Sequence, residues 1–326
     1  MSTSDIGVVV IGRNEGERLK ICLQSLLKAA SKIVYVDSGS QDNSVQMAKG
    51  MGINVVELDL TIPFTAARAR NTGFQWLLNN YPDINYVQFV DGDCEINSSW
   101  LTTAKKFLDE QSAYAVAFGR RRERYPEKSI YNLLCDMEWN TPVGDAKACG
   151  GDALMRVAAL AAVEGYRDDL IAGEEPELCV RLRAAGWRIR RLAEEMTLHD
   201  AAITRFSQWW KRAQRGGYAF AEGFFLHGAT RERFRVKESR SPWLWGCFIP
   251  VVAISVAFFK GMAGWSLLLV YPLQVGRLAL RGEQVPRNNW LRAFFLVLGK
   301  FPELLGQLQF IWNRLAGRKG RLIEYK

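Results

Sequence analysis

The sequence predicts an α/β protein with a parallel-sheet domain over residues 1–205, followed by a helical C-terminal region. In the first two hundred residues short apolar runs alternate with helical patterns, as in a sheet whose strands are joined by crossover helices. Acidic residues stand where those runs end. Beyond residue 240 the chain changes character, with long uncharged stretches bounded by arginines.

GVVVI (7–11) reads as the first strand, followed by a helix from about Glu15 to Lys28. KIVYVD (32–37) is the second, followed by a helix over 42–50, and INVVEL (53–58) is the third. The run at 86–90 is a further strand that leads through Asp91-Gly92-Asp93 toward a helix at about 97–110. Ligands of parallel sheets collect at the carboxyl ends of the strands. Asp37 stands at one such end and Asp91 with Asp93 at another. Carboxylates at i and i+2 leaving a strand both reach one hard cation, and the glycine between them lets the backbone approach a ligand. The same triplet also suits an Asx turn that caps the next helix. After the first strand, IGRNEGERL lacks the GxGxxG turn, and no GxxxxGK[ST] occurs. A nucleotide diphosphate bound here needs another way to be neutralised, and a divalent cation on Asp91 and Asp93 provides one.

The formal charge of +9 is uneven: residues 1–199 carry 23 Lys/Arg against 27 Asp/Glu, and residues 200–326 carry 20 against 7, net +13. Such an excess serves nucleic acid or the anionic face of a membrane, and its surroundings decide. Pro242 to Phe259 is uncharged, and GMAGWSLLLVYPLQVG continues uncharged to Gly276. Arg233, Arg235, Lys237 and Arg240 precede this pair; Arg277, Arg281 and Arg287 follow it. Residues 241–281 are therefore expected to form a transmembrane or re-entrant helical hairpin with both ends cytoplasmic, the alternative being a buried hairpin. Trp243, Trp245 and Trp265 would sit at the interfaces, and Pro250 and Pro272 would kink the arms. Residues 282–326 read as an amphipathic basic segment, interrupted by Lys300 and Glu303. In the connecting segment 206–240, FSQWWKRAQRGGYAFAEGFF alternates rings with Lys211, Arg212 and Arg215 and then offers Gly216-Gly217 as a flexible pair. A lid or acceptor platform at the membrane surface would use these features, as would an amphipathic helix packed under the catalytic domain. Membrane lipids are the expected partner and nucleic acid is not, because apolar helices follow directly. The start, MSTSDIGVVVIGRNE, has no basic region before its apolar run, so no signal peptide is expected. Cys22, Cys94, Cys135, Cys149, Cys179 and Cys247 form no CxxC pair and are read as reduced thiols.

Four pieces in order, VVVIGRNEGERLKICLQSL, IVYVDSGSQDNS, the DGD triplet and GEEPELCVRLRAAGWRI, resemble a family 2 glycosyltransferase of the GT-A fold, from about residue 7 to 192. This Rossmann-like fold serves nucleotide-diphospho-sugar transferases. The resemblance implies that Asp37 binds the uracil or ribose of the donor, and that Arg70 and Asn71 lie near the nucleotide with Arg70 on a phosphate. Asp91 and Asp93 would be the DxD acids holding Mg²⁺ or Mn²⁺, Asp93 in direct contact, and His199 would complete the metal shell. Arg13 stands near a position where many relatives place an aromatic residue beside the base. GGDALMR resembles the small-residue segment that returns to the site, where Asp152 would contact donor sugar or acceptor. Relatives read Glu-Asp at the helix start where this chain has Glu174-Glu175. The second acid takes the acceptor proton, which makes Glu175 the expected base and Glu174 its alternative. The implied activity is inverting, metal-dependent transfer from a UDP- or GDP-linked sugar. The acceptor would be a saccharide or polyprenyl-phosphate-linked hydroxyl, in surface polysaccharide or glycolipid synthesis. The implied place is the cell inner membrane, with the active site in the cytoplasm. A sugar-phosphate nucleotidyltransferase would carry a Gly-rich basic loop after strand one, and IGRNEGERL is not one. A non-catalytic scaffold would have no need of acids at Asp37, Asp91, Asp93 and Glu175. Two histidines and no serine in a nucleophile motif argue against a Ser-His-Asp hydrolase.

Overall fold

A computed structural model describes residues 3–318, 320, 323 and 324. The chain divides into two compact units between Thr204 and Arg205.

In the first unit the three apolar runs are strands β1 (Ile6–Gly12), β2 (Lys32–Asp37) and β3 (Asn54–Glu57), joined by helices α1 (Glu17–Leu27) and α2 (Ser44–Gly50). Helix α3 (Ala66–Asn80) leads to β4 (Tyr86–Asp91). These four strands are parallel, and their register sets Asp37 beside Gly12 and Asp91 beside Ile11. β1, β2 and β4 are buried almost throughout, which is why they read as unbroken apolar runs and not as alternating ones. Leu19, Leu23 and Leu26 of α1 and Leu77 of α3 are fully covered, as is Trp100 at the start of α4 (Trp100–Glu110), whose Nε1 donates to Gln88 Oε1 at 2.9 Å.

The remaining strands are β5 (Cys94–Ile96), β6 (Tyr114–Glu123), β7 (Gly144–Asp145), β8 (Ala153–Arg156) and β9 (Arg188–His199). The sheet runs β3-β2-β1-β4-β8-β6-β9-β5, with β7 paired to β9. β8 is antiparallel to β4 and β6, and β5 is antiparallel to β9. β2 and β3 lie to one side of β1 and β4 to the other, so the crevice outside the carboxyl ends of β1 and β4 is a topological switch point. The DGD triplet turns there between β4 and β5, with Gly92 N donating to Ile11 O at 2.8 Å. It caps no helix: α4 starts after Asn97, whose Oδ1 accepts from Ser99 N at 3.0 Å. Helices α5 (Ile130–Trp139), α6 (Val157–Ala162) and α7 (Glu174–Ala184) complete the unit.

The second unit is helical. Helix α8 (Phe206–His227) runs unbroken through Gly216 and Gly217, so the expected flexible pair is regular helix. The reason is room. A Cβ on Gly217 would lie 2.0 Å from Glu303 O of α13 (Lys300–Leu315), and one on Gly306 would lie 1.9 Å from Gln214 O, so the two helices meet backbone to backbone. Helix α9 (Val236–Pro242), a π-helical stretch Trp243–Phe248 and α10 (Ile249–Lys260) form one continuous helix. The expected second arm is different: Gly261–Leu269 is a 3₁₀ helix opened by Gly261 at φ +61°, and only then does α11 (Val270–Leu280) begin. Glycines at 261 and 264 weaken α-helix where composition alone suggested a span. Helix α12 (Pro286–Leu298) continues into α13. Among the described residues, the helices long and apolar enough to cross a membrane are Val236–Lys260, of mean hydropathy 1.9, and Pro286–Leu315, of mean hydropathy 1.2.

Candidate active site

Thr65 caps α3 by accepting Arg68 N on Oγ1 at 3.0 Å, which fixes the direction of the first turns and sends Arg70 into the switch point. Arg70 is 2% exposed. One guanidinium nitrogen lies 2.8 Å from Asp91 Oδ1; the other lies 2.9 Å from Glu174 Oε1 and 3.0 Å from Glu175 Oε1. A single buried cation thus joins the end of β4 to the start of α7. A second guanidinium, that of Arg121 on β6, takes the other oxygen of Asp91 at 3.1 Å and stands 3.5 Å from Asp152 Oδ2, with its plane over Trp139. Gly151 makes this convergence possible, because a Cβ there would come within 2.7 Å of Arg70 and 2.8 Å of Asp91. Burial pushes the Asp91 carboxyl up, yet Arg70 and Arg121 outweigh it and hold the group below the usual carboxylate range.

Helix α7 opens on Gly173 in the left-handed region (φ 77°) and puts Glu174, Glu175 and Glu177 in its first turn, where the helix dipole favours negative charge. The Glu175 carboxyl is pushed up to about 7, first by burial and then by the neighbouring Glu174, against the pull of Arg70. A carboxylate of that affinity accepts a proton near neutral pH.

The antiparallel pairing of β5 with β9 sets Cys94 opposite His199, which brings the imidazole to the DGD turn. His199 Nε2 is 3.2 Å from Asp93 Oδ1, and both side chains are buried. The ring stands edge-on to Trp139, and Nδ1, 3.7 Å from Glu123 Oε2, makes no hydrogen bond. Donor atoms of Asp93, Cys94 and His199 lie within 4.8 Å of one another, as do those of Asp91, Cys94 and Asp152. The buried Asp93 carboxylate and the Nε2 atom that faces it fit a divalent ion, and mixed oxygen and nitrogen donors suit Mn²⁺ better than Mg²⁺. Burial raises the Cys94 thiol pKa and keeps it a neutral, poor ligand. Asp91 groups apart from Asp93, since both of its oxygens face guanidiniums.

The other expected residues are engaged within the fold. Asp37 accepts from Tyr35 Oη at 2.7 Å, Ser40 Oγ at 2.5 Å, Gly39 N at 2.9 Å and Ser40 N at 2.8 Å, so its carboxylate shapes the turn after β2. Asp152, fully buried, accepts from Asp91 N at 3.1 Å and Thr197 Oγ1 at 2.7 Å. Asn71 donates to Tyr166 O at 2.7 Å and Asp168 Oδ1 at 2.6 Å and accepts from Tyr166 N at 2.9 Å, which pins the loop that precedes α7. Arg13 lies with its guanidinium 4.7 Å from the Phe64 ring centroid. Sequence reasoning missed Arg121. It lies in the run RRR, where irregularities in the β6–β9 register between Phe118 and Arg121 decide which arginine faces the site.

Residues 7–149 match the family model for Glycosyl transferase family 2. In sequence, the chain is 32% identical over 100 residues to the uncharacterized glycosyltransferase YibD of Escherichia coli (strain K12), a match spanning 29% of this chain and 28% of that protein. In structure, it is similar to a mannosyltransferase, PcManGT from Pyrobaculum calidifontis, solved in complex with GDP-Man and Mn²⁺. The TM-score is 0.65 at 16% identity, over 96% of this chain and 89% of that one. At that identity the likeness is one of fold.

Proposed function

Because residues 7–149 match the model of glycosyl transferase family 2, we propose that the chain is a glycosyltransferase of that family, which transfers a sugar, with inversion, from a UDP- or GDP-linked donor to an acceptor hydroxyl. The observation that carries this reading is the Arg70 junction, where one guanidinium links Asp91, at the strand end proposed for the donor diphosphate, to Glu175. An acceptor hydroxyl hydrogen-bonded to Glu175 gives up its proton to that carboxylate as its oxygen bonds to the anomeric carbon. The bond from that carbon to the diphosphate oxygen breaks, and the nucleoside diphosphate leaves with the electron pair. Attack from the face opposite the leaving group inverts the centre. Arg70 and Arg121, though held by carboxylates, supply positive charge at the strand end proposed for the diphosphate. Asp93 and His199 would hold a divalent cation, which supplies positive charge to the diphosphate.

The membrane completes the proposal. Two helices of spanning length and the basic C-terminal third support an enzyme at the inner membrane acting on a lipid-linked acceptor from the cytoplasmic side. The test incubates purified full-length protein in detergent with a membrane lipid extract as the acceptor source and a panel of UDP- and GDP-sugars, and follows release of nucleoside diphosphate. Release is expected with one donor class, abolished by chelator and restored by Mn²⁺. No release with any donor overturns the transferase reading; undiminished release in excess chelator overturns the metal.

A further inference from the structure

Between α8, the helix Val236–Lys260 and α13, wholly within the second unit, lies a cavity of about 460 Å³. Its walls include Phe224, Phe225, Trp243, Phe310 and Leu315. The polar groups on its floor are spent on the fold: Trp243 Nε1 donates to Gln307 Oε1 at 2.9 Å, Gln307 Nε2 to Ser239 O at 3.1 Å, and Ser239 Oγ to Phe220 O at 2.8 Å. A ligand body that fills this space finds no free donor among them, so hydrocarbon is what it accommodates.

The rim is of the opposite kind. Arg314 is held over the Phe225 ring, 3.6 Å from its centroid, and Arg240 borders both this cavity and a second of about 560 Å³ lined by Arg231 and Arg233. No acid lines either cavity, and none of these four arginines makes an ion pair among the described residues. An apolar interior beneath uncompensated guanidiniums selects an amphipathic molecule with an anionic head. Phe225 and Leu315 are exposed on the outer side, and only 11% of the apolar window of Val236–Lys260 is buried, so the cavity opens along a surface of hydrocarbon character.

We propose that this cavity binds an anionic phospholipid of the bilayer, with an acyl chain between α8 and α13 and the phosphodiester on Arg240 and Arg314. The proposal rests on the membrane reading of the second unit and is independent of the transfer chemistry. A zwitterionic head would bring its own cation into the arginine cluster and is disfavoured by it.

The test titrates full-length protein in nonionic detergent with brominated-chain phosphatidylglycerol, with brominated phosphatidylcholine alongside, and follows tryptophan fluorescence. Subtracting a Trp243→Phe sample isolates Trp243. Saturable quenching is expected at a lower mole fraction of phosphatidylglycerol. Arg240→Gln and Arg314→Gln should each raise that half-saturation point about fivefold and leave the phosphatidylcholine response unchanged. Equal quenching by both lipids overturns the proposal, as does a double variant that binds phosphatidylglycerol like the parent. Displacement of phosphatidylglycerol by trace polyprenyl phosphate also overturns it and gives the cavity to a lipid-linked substrate. Nucleoside diphosphate release on the same samples separates the two readings: equal quenching of the parent by both lipids, with its release intact, counts against this proposal alone.

Discussion

Glu175 has its proton affinity set by opposing neighbours: burial and Glu174 raise it, and Arg70 lowers it. Glu175→Gln is expected to keep donor affinity while slowing turnover by about 10²–10⁴-fold, and the parent's rate should climb with pH through about 7. If Glu174→Gln produces that loss instead, the two roles are exchanged. Stability carries the same signature with a definite sign. Because the folded pKa lies above the unfolded 4.5, the folded state binds more protons between 4.5 and about 7, so stability falls as pH rises through that window. Urea midpoints across this range should show the decline, and Glu175→Gln should flatten it. Arg70 compensates three buried or half-buried carboxylates, and Arg70→Ala should cost about 3–5 kcal/mol in urea unfolding. The acids at 91, 93 and 175 were legible because carboxylates at strand and helix ends stand out against apolar runs. Arg121 was not, since among three successive arginines only the bulged register tells which one turns inward. Nor could spacing show that Asp37, Asn71 and Asp152 spend their hydrogen-bonding groups on neighbouring backbone and side chains.

At the level of elements, the strands that read most clearly were those buried on both faces, where burial leaves an unbroken apolar run. The helices of the second unit were harder. A glycine in a sequence signals either freedom or room, and only the neighbour decides which; for Gly217 the neighbour is the backbone of α13. Gly217→Val should therefore force α8 and α13 apart, at a cost of about 1–3 kcal/mol or more, read as a lowered melting temperature of the detergent-solubilised chain. Gly216→Val, where a Cβ meets nothing within 4 Å, serves as the comparison. The smaller device at the start of α3 gives a milder test: Thr65→Ala should cost about 1 kcal/mol and loosen Arg70 along with the helix end.

Over the whole molecule, charge and hydropathy divide the chain more sharply than any motif does. Residues 1–199 are slightly acidic, and residues 200–326 carry net +13 around two helices of spanning length. The full chain should sediment with membranes, resist high-salt extraction and be released by detergent; recovery in the soluble fraction without detergent would make those helices packed core. The sheet order carries a further consequence, one of timing. β1 to β4 are neighbours made early, but β4 keeps an open edge until β8 arrives, and β5 waits for β9. During synthesis Asp93 therefore emerges long before the imidazole it faces, because Cys94 pairs across to His199 at the far end of the unit. A nascent chain stalled anywhere in between holds the carboxylates without their histidine, so the cation proposed for Asp93 and His199 would find both ligands only once the first unit has finished folding.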